Sequence, residues 1–183
     1  EEARRTLGLP QDKPVILVTG GSQGAKNLNS MLIEAAKADP GVHYFVIAGK
    51  ADYERVKGLA GDAPNISVIG FCSEMPSAYA AADGVIARSG ASTLTELSVI
   101  GKACLLIPFP FAADDHQTHN ARVFTGHGAA QMCRQSELTT ARVHDFVHNV
   151  ILNPDARAAM EKAMREQACP DAAAVIARTI IGG

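Results

Sequence analysis

The sequence predicts an α/β fold built on a Rossmann-like, doubly wound, six-stranded parallel sheet. Six short apolar runs alternate with segments of helical periodicity, which is the pattern of a parallel sheet covered by helices. The runs lack the alternation of a half-exposed strand, as expected for strands that are buried on both faces. The 183 residues, 47% of them hydrophobic, suffice for one domain with a substantial core.

The predicted elements follow one another along the whole chain. Strands are predicted at 15–18, 44–48, 66–69, 84–87, 104–107 and 129–133. Helices are predicted at 25–38, 51–60, 74–82, 91–100, 116–126, 139–152, 154–167 and 171–181. Asn153, Pro154 and Asp155 predict one helix start, because they supply a capping residue, a proline at the first helical position and an acid in the first turn. In the strand order 3-2-1-4-5-6, the first and fourth strands are neighbours at the switch point where ligands bind.

Composition excludes several classes of protein. A net charge of -2 and a pI near 6.3 give no broad basic field, so we expect no nucleic-acid partner. The four cysteines are far apart and form no C-x-x-C pair, which argues against a zinc ribbon or a thioredoxin-type site and favours reduced thiols in the cytoplasm. No signal sequence or membrane-length apolar run is found. Because the chain begins Glu-Glu-Ala-Arg without methionine, we expect it to be a piece of a longer protein.

The stretch VTGGSQGAKN, residues 18–27, resembles three kinds of loop. A phosphate-binding P-loop is excluded, because Lys26 is followed by Asn27 rather than by Ser or Thr and the spacing is wrong. A nicotinamide site requires an acid near the end of the second strand, where this chain has Lys50. A hydrolase elbow with Ser22 as nucleophile stays open as an alternative, since histidines follow at positions 116, 119 and 127.

A second glycine loop, Arg88-Ser89-Gly90-Ala91-Ser92-Thr93, follows the fourth strand as the first loop follows the first strand. Each loop opens a predicted helix, so two helix N-termini are expected to converge on one crevice. Such termini offer unpaired N–H groups and about half a positive charge each, which suits a diphosphate. The alternative for either loop alone is an ordinary tight turn, because Gly and Ser are common turn residues.

Two interpretations of Glu96 stay open at this point. Its spacing from Thr93 matches a capping box, in which the acid satisfies a backbone N–H. Alternatively, a carboxylate one turn into a phosphate-binding helix is placed to accept hydrogen bonds from a ribose diol. His116 and Gln117, at the start of a later helix, can reach sugar hydroxyls.

Two other polar clusters predict structure rather than metal binding. Asp114 and Asp115 are typical of a helix N-cap with acids in the first turn, and no convincing set of metal ligands surrounds them. His144 and His148, four residues apart, predict a surface pair on a helix, because no third ligand is evident.

Three motifs carry a specific resemblance over nearly the whole chain. GGSQGAKNLN, GFCSEMPSAYAAADGVIARSGASTLTEL and DDHQTHNA, in that order, resemble the C-terminal domain of the MurG family of glycosyltransferases, which make peptidoglycan lipid II. The resemblance implies the C-terminal half of a GT-B enzyme of glycosyltransferase family 28. Residues 1–183 are then expected to form the domain that binds the donor, UDP-N-acetylglucosamine (UDP-GlcNAc). The N-terminal acceptor domain, with the catalytic base, is expected to be absent from this chain.

The resemblance also implies which residues bind substrate. They are Gly21, Ser22, Phe71, Cys72, Met75, Gly90, Ala91, Ser92, Thr93, Glu96, His116 and Gln117. Ser22 is expected beside the diphosphate, and residues 91–93 at the phosphates. The backbone at Cys72 is expected to read the uracil edge, Glu96 to hold the ribose hydroxyls and Gln117 to contact the GlcNAc hydroxyls. Some family members have two glutamines where this chain has His116 and Gln117, so the role of His116 stays open.

The resemblance implies an inverting transfer of GlcNAc to the C4 hydroxyl of lipid-linked N-acetylmuramoyl-pentapeptide, without a metal or cofactor. It implies a full-length protein that is peripheral on the cytoplasmic face of the bacterial inner membrane. The alternative is a UDP-sugar-binding subunit of a related two-subunit or lipid glycosyltransferase, as in the dolichol-linked GlcNAc transferase.

Overall fold

The computed structural model describes residues 1–20, 26–170 and 177. Its strands are β1 (Val15–Thr19), β2 (His43–Ile47), β3 (Ile66–Ile69), β4 (Gly84–Ala87), β5 (Cys104–Leu106) and β6 (Gln131–Met132). Its α-helices are α1 (Glu2–Thr6), α2 (Lys26–Lys37), α3 (Tyr53–Ala60), α4 (Met75–Ala81), α5 (Ala91–Ile100), α6 (His116–Gly126), α7 (Thr140–Phe146) and α8 (Pro154–Glu166). Short 3₁₀ segments, Ala113–Asp115 and Gln135–Glu137, precede α6 and α7, and a π-helical turn, Val147–Ile151, continues α7. No helix within the described ranges is long and apolar enough to cross a bilayer.

The six strands form one parallel sheet in the order β3-β2-β1-β4-β5-β6. This confirms the predicted fold class and strand order. The chain runs outward from β1 to β3 and then crosses back to β4, so the loops that follow β1 and β4 leave the sheet in opposite directions. A crevice opens between such loops at the carboxyl edge of the sheet.

The sheet separates two apolar layers. Ile16 and Val18 of β1 pack into the layer formed with α2, α3 and α7, whereas Val15 and Leu17 pack into the layer formed with α4, α5, α6 and α8. Every residue of β2, β4 and β5 is buried as well, while the edge strands β3 and β6 are partly exposed. Burial on both faces explains why the apolar runs do not alternate.

The predicted boundaries agree with the observed ones to within two residues wherever the structure describes the element. The predicted cap at Asn153 is confirmed, because its side-chain oxygen accepts from the N–H groups of Asp155 and Ala156 at 3.2 Å. The helix predicted at 171–181 lies, apart from residue 177, outside the described residues. The predicted start of α2 at residue 25 also lies outside them.

Helix α1 was not predicted from the sequence. It has five residues and buries none of them, so it leaves no apolar stripe for periodicity to detect. Long-range contacts hold it instead. The guanidinium of Arg4 donates to the carbonyl oxygen of Ala81 at 2.8 Å and to the carboxylate of Asp83 at 2.7 Å.

Candidate functional site

The carboxyl ends of β1 and β4 lie side by side. Thr19 is in register with Ala87, and the N–H of Arg88 donates to the carbonyl oxygen of Thr19 at 3.3 Å. The two strand ends that the glycine loops follow are therefore adjacent, as predicted. Gly21 and Ser22 lie outside the described residues, so their contact with a diphosphate stays a prediction.

The first turn of α2 is held firmly beside this edge. Arg55 donates to the carbonyl oxygen of Lys26 at 2.9 Å and to both carboxylate oxygens of Asp52 at 2.7 and 2.8 Å. The hydrogen bond from Arg55 holds the pKa of Asp52 below its ordinary value. Buried Asn29 donates to the same carboxylate at 2.8 Å and to the carbonyl oxygen of Ala48 at 3.1 Å. The start of α2 is thus fixed to the loop that follows β2.

Helix α5 begins with its N-terminus open to solvent. Gly90 is the N-cap residue in extended backbone geometry, and no side chain caps the helix. Among the described residues, a Cβ atom added at Gly90 would meet nothing within 4 Å, which leaves room for a ligand at the backbone there. Ala91 and Ser92 are exposed, and the first N–H groups of a helix lack partners within it. This terminus has the geometry of an anion site.

The structure excludes one of the two interpretations of Glu96. Because α5 begins at Ala91, Glu96 lies in its second turn and caps no backbone N–H, so the capping box is wrong. One carboxylate oxygen of Glu96 instead accepts from the hydroxyl of Tyr79 at 2.8 Å. Glu96 is otherwise exposed, on the same face of α5 as Ser92 four residues earlier. The carboxylate is therefore held one turn below the open helix end.

The β3–α4 loop borders the same layer. Cys72 and Met75 are half-buried and pack against the apolar cluster that contains Tyr79 and Leu94. Phe71 is 61% exposed, and the ammonium group of Lys50 lies 4.8 Å from the centre of its ring. The loop thus presents backbone and an aromatic face beside α4 and α5, as a base-binding loop requires.

Helix α6 is tied to the α5 loop through Ser89. This side chain is fully buried, and its hydroxyl donates to the carbonyl oxygen of Gln117 at 2.8 Å. The side-chain amide of Asn120 donates to the carbonyl oxygen of Ser89 at 3.2 Å. The N–H of Phe109 donates to the Oε1 of Gln117 at 3.0 Å, and an N–H can donate only to an acceptor. The amide nitrogen of Gln117 is therefore the end left to face a ligand.

Arg88 begins the second glycine loop and is a functional candidate to which the sequence pattern assigns no role. It is 7% exposed, and its guanidinium donates to the carbonyl oxygens of Ile107 and Pro108 and to the side chain of Gln135 at 3.1, 2.9 and 2.6 Å. Burial lowers its pKa to about 10, so the group stays charged at neutral pH. No carboxylate among the described residues pairs with it. Its buried positive charge therefore lies between the end of β5 and the 3₁₀ segment Gln135–Glu137, beside the lining residue Pro108 of a cavity described below.

The other predicted polar clusters are structural. Asp115 takes the N-cap position of α6, as predicted, but its side chain caps no backbone N–H and accepts instead from the hydroxyl of Thr118 at 2.6 Å. Asp114 and Asp115 both precede the first turn of α6, where the sequence predicted acids. Both Asp114 and Asp115 have φ of 50°, an uncommon conformation for residues other than glycine. The predicted surface pair of His144 and His148 is confirmed, with stacked rings 3.9 Å apart. Across the described ranges, no three His, Cys, Asp or Glu side chains are grouped to hold a metal.

The histidines required by the hydrolase alternative have no orienting acid. His116 and His127 each place Nδ1 against a backbone carbonyl oxygen of their own segment, at 2.8 and 2.7 Å. In the described part of the chain, only His148 pairs with a carboxylate, that of Asp39 at 3.0 Å. A Ser-His-acid triad needs a carboxylate that orients its histidine, so the geometry does not favour a hydrolase.

A cavity of about 830 Å³ opens at the same edge of the sheet. It lies between the start of α2, the prolines of the β5–α6 loop and the 3₁₀ segment after β6, and it reaches Asp115 and Thr118 at the start of α6. None of the described predicted binding residues lines it. Those on the loop after β3 and on α5 lie on a more open surface, whereas His116 and Gln117 lie at the start of α6, between the cavity-lining residues Asp115 and Thr118. The cavity therefore adjoins the predicted donor site at the start of α6.

The chain matches one family and many relatives. The sequence profile of the glycosyltransferase family 28 C-terminal domain matches residues 15–176. A relative from Solidesulfovibrio magneticus, named "UDP-N-acetylglucosamine--N-acetylmuramyl-(pentapeptide) pyrophosphoryl-undecaprenol N-acetylglucosamine transferase", is 43% identical over 178 residues, covering 91% of this chain and 48% of the relative. A relative of the same name from Nostoc punctiforme is 39% identical over 176 residues, covering 95% and 48%. The chain spans about half the length of the relatives it matches.

Solved structures give the same result. The crystal structure of MurG from Acinetobacter baumannii is 36% identical with a TM-score of 0.85, covering 94% of this chain and 53% of that one. The glycosyltransferase VinC, solved with dTDP, has a TM-score of 0.72 at 18% identity, covering 97% of this chain and 44% of that one. At that identity, the likeness to VinC concerns the fold alone.

Proposed function

This chain belongs to the C-terminal domain family of glycosyltransferase family 28, and we propose from that premise that it is the half of an inverting transferase that binds UDP-GlcNAc. The observation that carries the proposal is the surface of α5. It presents an uncapped helix N-terminus at Ala91 and Ser92 and, one turn further on the same face, the Glu96 carboxylate held by Tyr79. A nucleoside diphosphate needs these two groups at this spacing, because its phosphates and its ribose diol are adjacent.

The order of the neighbouring loops supports a complete nucleotide sugar. The half-buried backbone around Cys72 lies against the same layer as α4 and α5 and would receive the base. Gln117, linked to the α5 loop through Ser89, would receive the sugar with its amide nitrogen outward. Base, ribose, diphosphate and sugar would then lie in sequence across the carboxyl edge of the sheet, with Ser22 at the diphosphate.

In the reaction we propose, the C4 hydroxyl of lipid-linked N-acetylmuramoyl-pentapeptide attacks C1 of GlcNAc, and UDP leaves. Negative charge then grows on the departing diphosphate. The N–H groups at the start of α5, its helix dipole and the buried Arg88 charge would stabilise it. A single well-placed donor of this kind is worth about 3 to 4 kcal/mol of transition-state stabilisation in other enzymes.

The acceptor and the catalytic base belong to the remainder of the full-length protein in this proposal. The relatives are about twice as long as this chain, and their printed name includes a pyrophosphoryl-undecaprenol acceptor. A lipid of that kind resides in a membrane, so the full-length enzyme would act at the membrane surface as a peripheral protein. This chain alone would bind donor and transfer nothing.

Calorimetric titration of the 183-residue chain with UDP-GlcNAc, UDP and ADP-glucose tests the proposal. We expect saturable binding of UDP-GlcNAc and UDP and much weaker binding of ADP-glucose, because the base loop and Gln117 contact the groups that differ. Equal affinity for UDP-GlcNAc and ADP-glucose, or binding of neither, would contradict the proposal. Adding Mg²⁺ or EDTA should leave the affinity for UDP unchanged if helix N-termini hold the phosphates.

A further inference from the structure

Tyr79 has a buried hydroxyl whose hydrogen-bond partner is a carboxylate at the surface. The residue lies on α4 and is 1% exposed, so its hydroxyl has almost no access to water. Within the described residues, its hydroxyl bonds one group, the Oε2 of Glu96 at 2.8 Å. The ring is packed in the apolar layer with Leu94 and Leu97 of α5. The phenol therefore contacts Glu96 from the apolar layer, where close packing restricts movement of its ring.

This contact changes what Glu96 can do. An exposed glutamate on a helix samples many rotamers, and fixing such a side chain on binding costs about 0.5 to 1.5 kcal/mol. The Tyr79 hydroxyl supplies a partner before any ligand arrives, and it occupies one of the roughly four lone-pair positions of the carboxylate. Glu96 is otherwise exposed and lies on the same side of α5 as Ser92, so a ligand on that side has access to its carboxylate.

We propose that Tyr79 is a positioning residue that presents the Glu96 carboxylate to the ribose diol and thereby sets a preference for ribonucleotide over deoxyribonucleotide donors. The inference rests on the proposed function, because it requires UDP to bind along α5. Tyr79 itself touches no ligand. It acts through Glu96, and its effect should appear only with ligands that carry the ribose hydroxyls.

The hydroxyl keeps its proton over the working range of pH. Burial raises the pKa of Tyr79 well above its ordinary value, and the hydrogen bond to Glu96 raises it further. The phenol therefore remains a neutral donor, and the Tyr79 effect on affinity should not change between about pH 6 and pH 9, a range that lies below even the ordinary tyrosine pKa of about 10.

The chain contains a matched control for this contact. Tyr44 of β2 is also fully buried, and its hydroxyl also donates to a carboxylate, that of Asp39 at 3.3 Å. It lies in the opposite apolar layer of the sheet from Tyr79. Tyr44→Phe and Tyr79→Phe therefore each remove a buried tyrosine hydroxyl that bonds a carboxylate. Because Asp39 is buried and also bonds His148, Tyr44→Phe controls for the loss of such a hydroxyl at a site away from Glu96.

The test measures Kd by calorimetry for UDP and for 2′,3′-dideoxy-UDP with the wild-type chain and both variants. We expect Tyr79→Phe to weaken UDP about 2- to 10-fold, the range for ordering one flexible side chain, and to leave the dideoxy ligand unchanged. Tyr44→Phe should change neither affinity. Thermal unfolding of each variant measures how much stability is lost with the buried hydroxyl.

Three outcomes overturn the inference. They are unchanged UDP affinity in Tyr79→Phe, an equal loss for both ligands, and a loss of the same size in Tyr44→Phe. If Tyr79→Phe does not fold, Glu96→Asp provides the second test, because the shorter side chain cannot reach the phenol and the diol together. Retention of ribose preference in Glu96→Asp would also overturn it. Failure of the wild-type chain to bind UDP at all would instead contradict the proposed function.

Discussion

Replacing Ser89 by alanine should weaken binding of the nucleotide sugar while leaving binding of the free nucleotide nearly unchanged. Ser89 is fully buried, so it cannot touch a ligand itself. Its hydroxyl joins the loop before α5 to the first turn of α6, where Gln117 is expected to contact the sugar. Removing the hydroxyl leaves the Asn120 bond to the Ser89 carbonyl oxygen in place but frees the first turn of α6, which should misplace Gln117.

The structure sets the expected magnitude. The Gln117 carbonyl oxygen accepts from Ser89 at 2.8 Å, and as part of α6 it also accepts from the N–H four residues later. The substitution therefore removes one of two hydrogen bonds and does not leave the group unpaired, so the free energy of unfolding should fall by ~1 kcal/mol. Loss of one aligned hydrogen bond to the sugar corresponds to about 2- to 10-fold in Kd for UDP-GlcNAc.

Calorimetry with UDP and UDP-GlcNAc separates the two effects. Ser98→Ala is the control, because Ser98 is also buried on α5 and its hydroxyl donates to the carbonyl oxygen of Thr95 at 2.8 Å. Both variants should lose similar stability, but only Ser89→Ala should lower the ratio of UDP-GlcNAc affinity to UDP affinity. A parallel loss for both ligands, or an unchanged ratio, would refute the coupling through Ser89.

Three further predictions concern the carboxylate, the backbone and pH. Glu96→Ala should weaken UDP binding by ~1 to 3 kcal/mol, since polar partners are left unpaired, and unchanged affinity in a folded variant would contradict the ribose role. Gly101→Ala should lower the free energy of unfolding by ~1 to 2 kcal/mol, because φ is 73° and the new Cβ would collide with Arg165. Gly58 is the control, because it is exposed in a helix and a Cβ added there meets no described atom within 4 Å, so Gly58→Ala should slightly raise stability. Denaturant titration of both variants measures the difference. Burial is the larger cause that lowers the pKa of His43, and the positive charge of Lys13 lowers it further. The imidazole therefore takes up its proton more readily in the unfolded chain than in the folded one. The free energy of unfolding should therefore fall as pH drops below 6.5, and His43→Gln should flatten that slope.

The sequence by itself determined the elements and their order. Short apolar runs, helical periodicity and caps such as Asn153 are local signals, because each depends on residues within one or two turns of each other. Alternation of strand and helix then leaves few arrangements, and the observed strand order is the predicted one. Among the described α-helices and strands, α1 alone was not predicted, since it buries no residue and is held by a contact to Asp83, 79 residues from Arg4. The 3₁₀ segments before α6 and α7 were not predicted either.

Tertiary structure alone decided which side chains meet. The sequence left Glu96 open between a cap and a binding group. The helix start at Ala91 excluded the cap, and the carboxylate bonds Tyr79, 17 residues earlier on a different helix. Ser89 and Gln117 are 28 residues apart, and Arg88 and Gln135 are 47 apart. No local pattern encodes such pairs, because they are created when helices pack against the sheet and bring separate loops to one edge. Periodicity therefore predicts the crevice, whereas the orientation of the groups that line it depends on long-range packing.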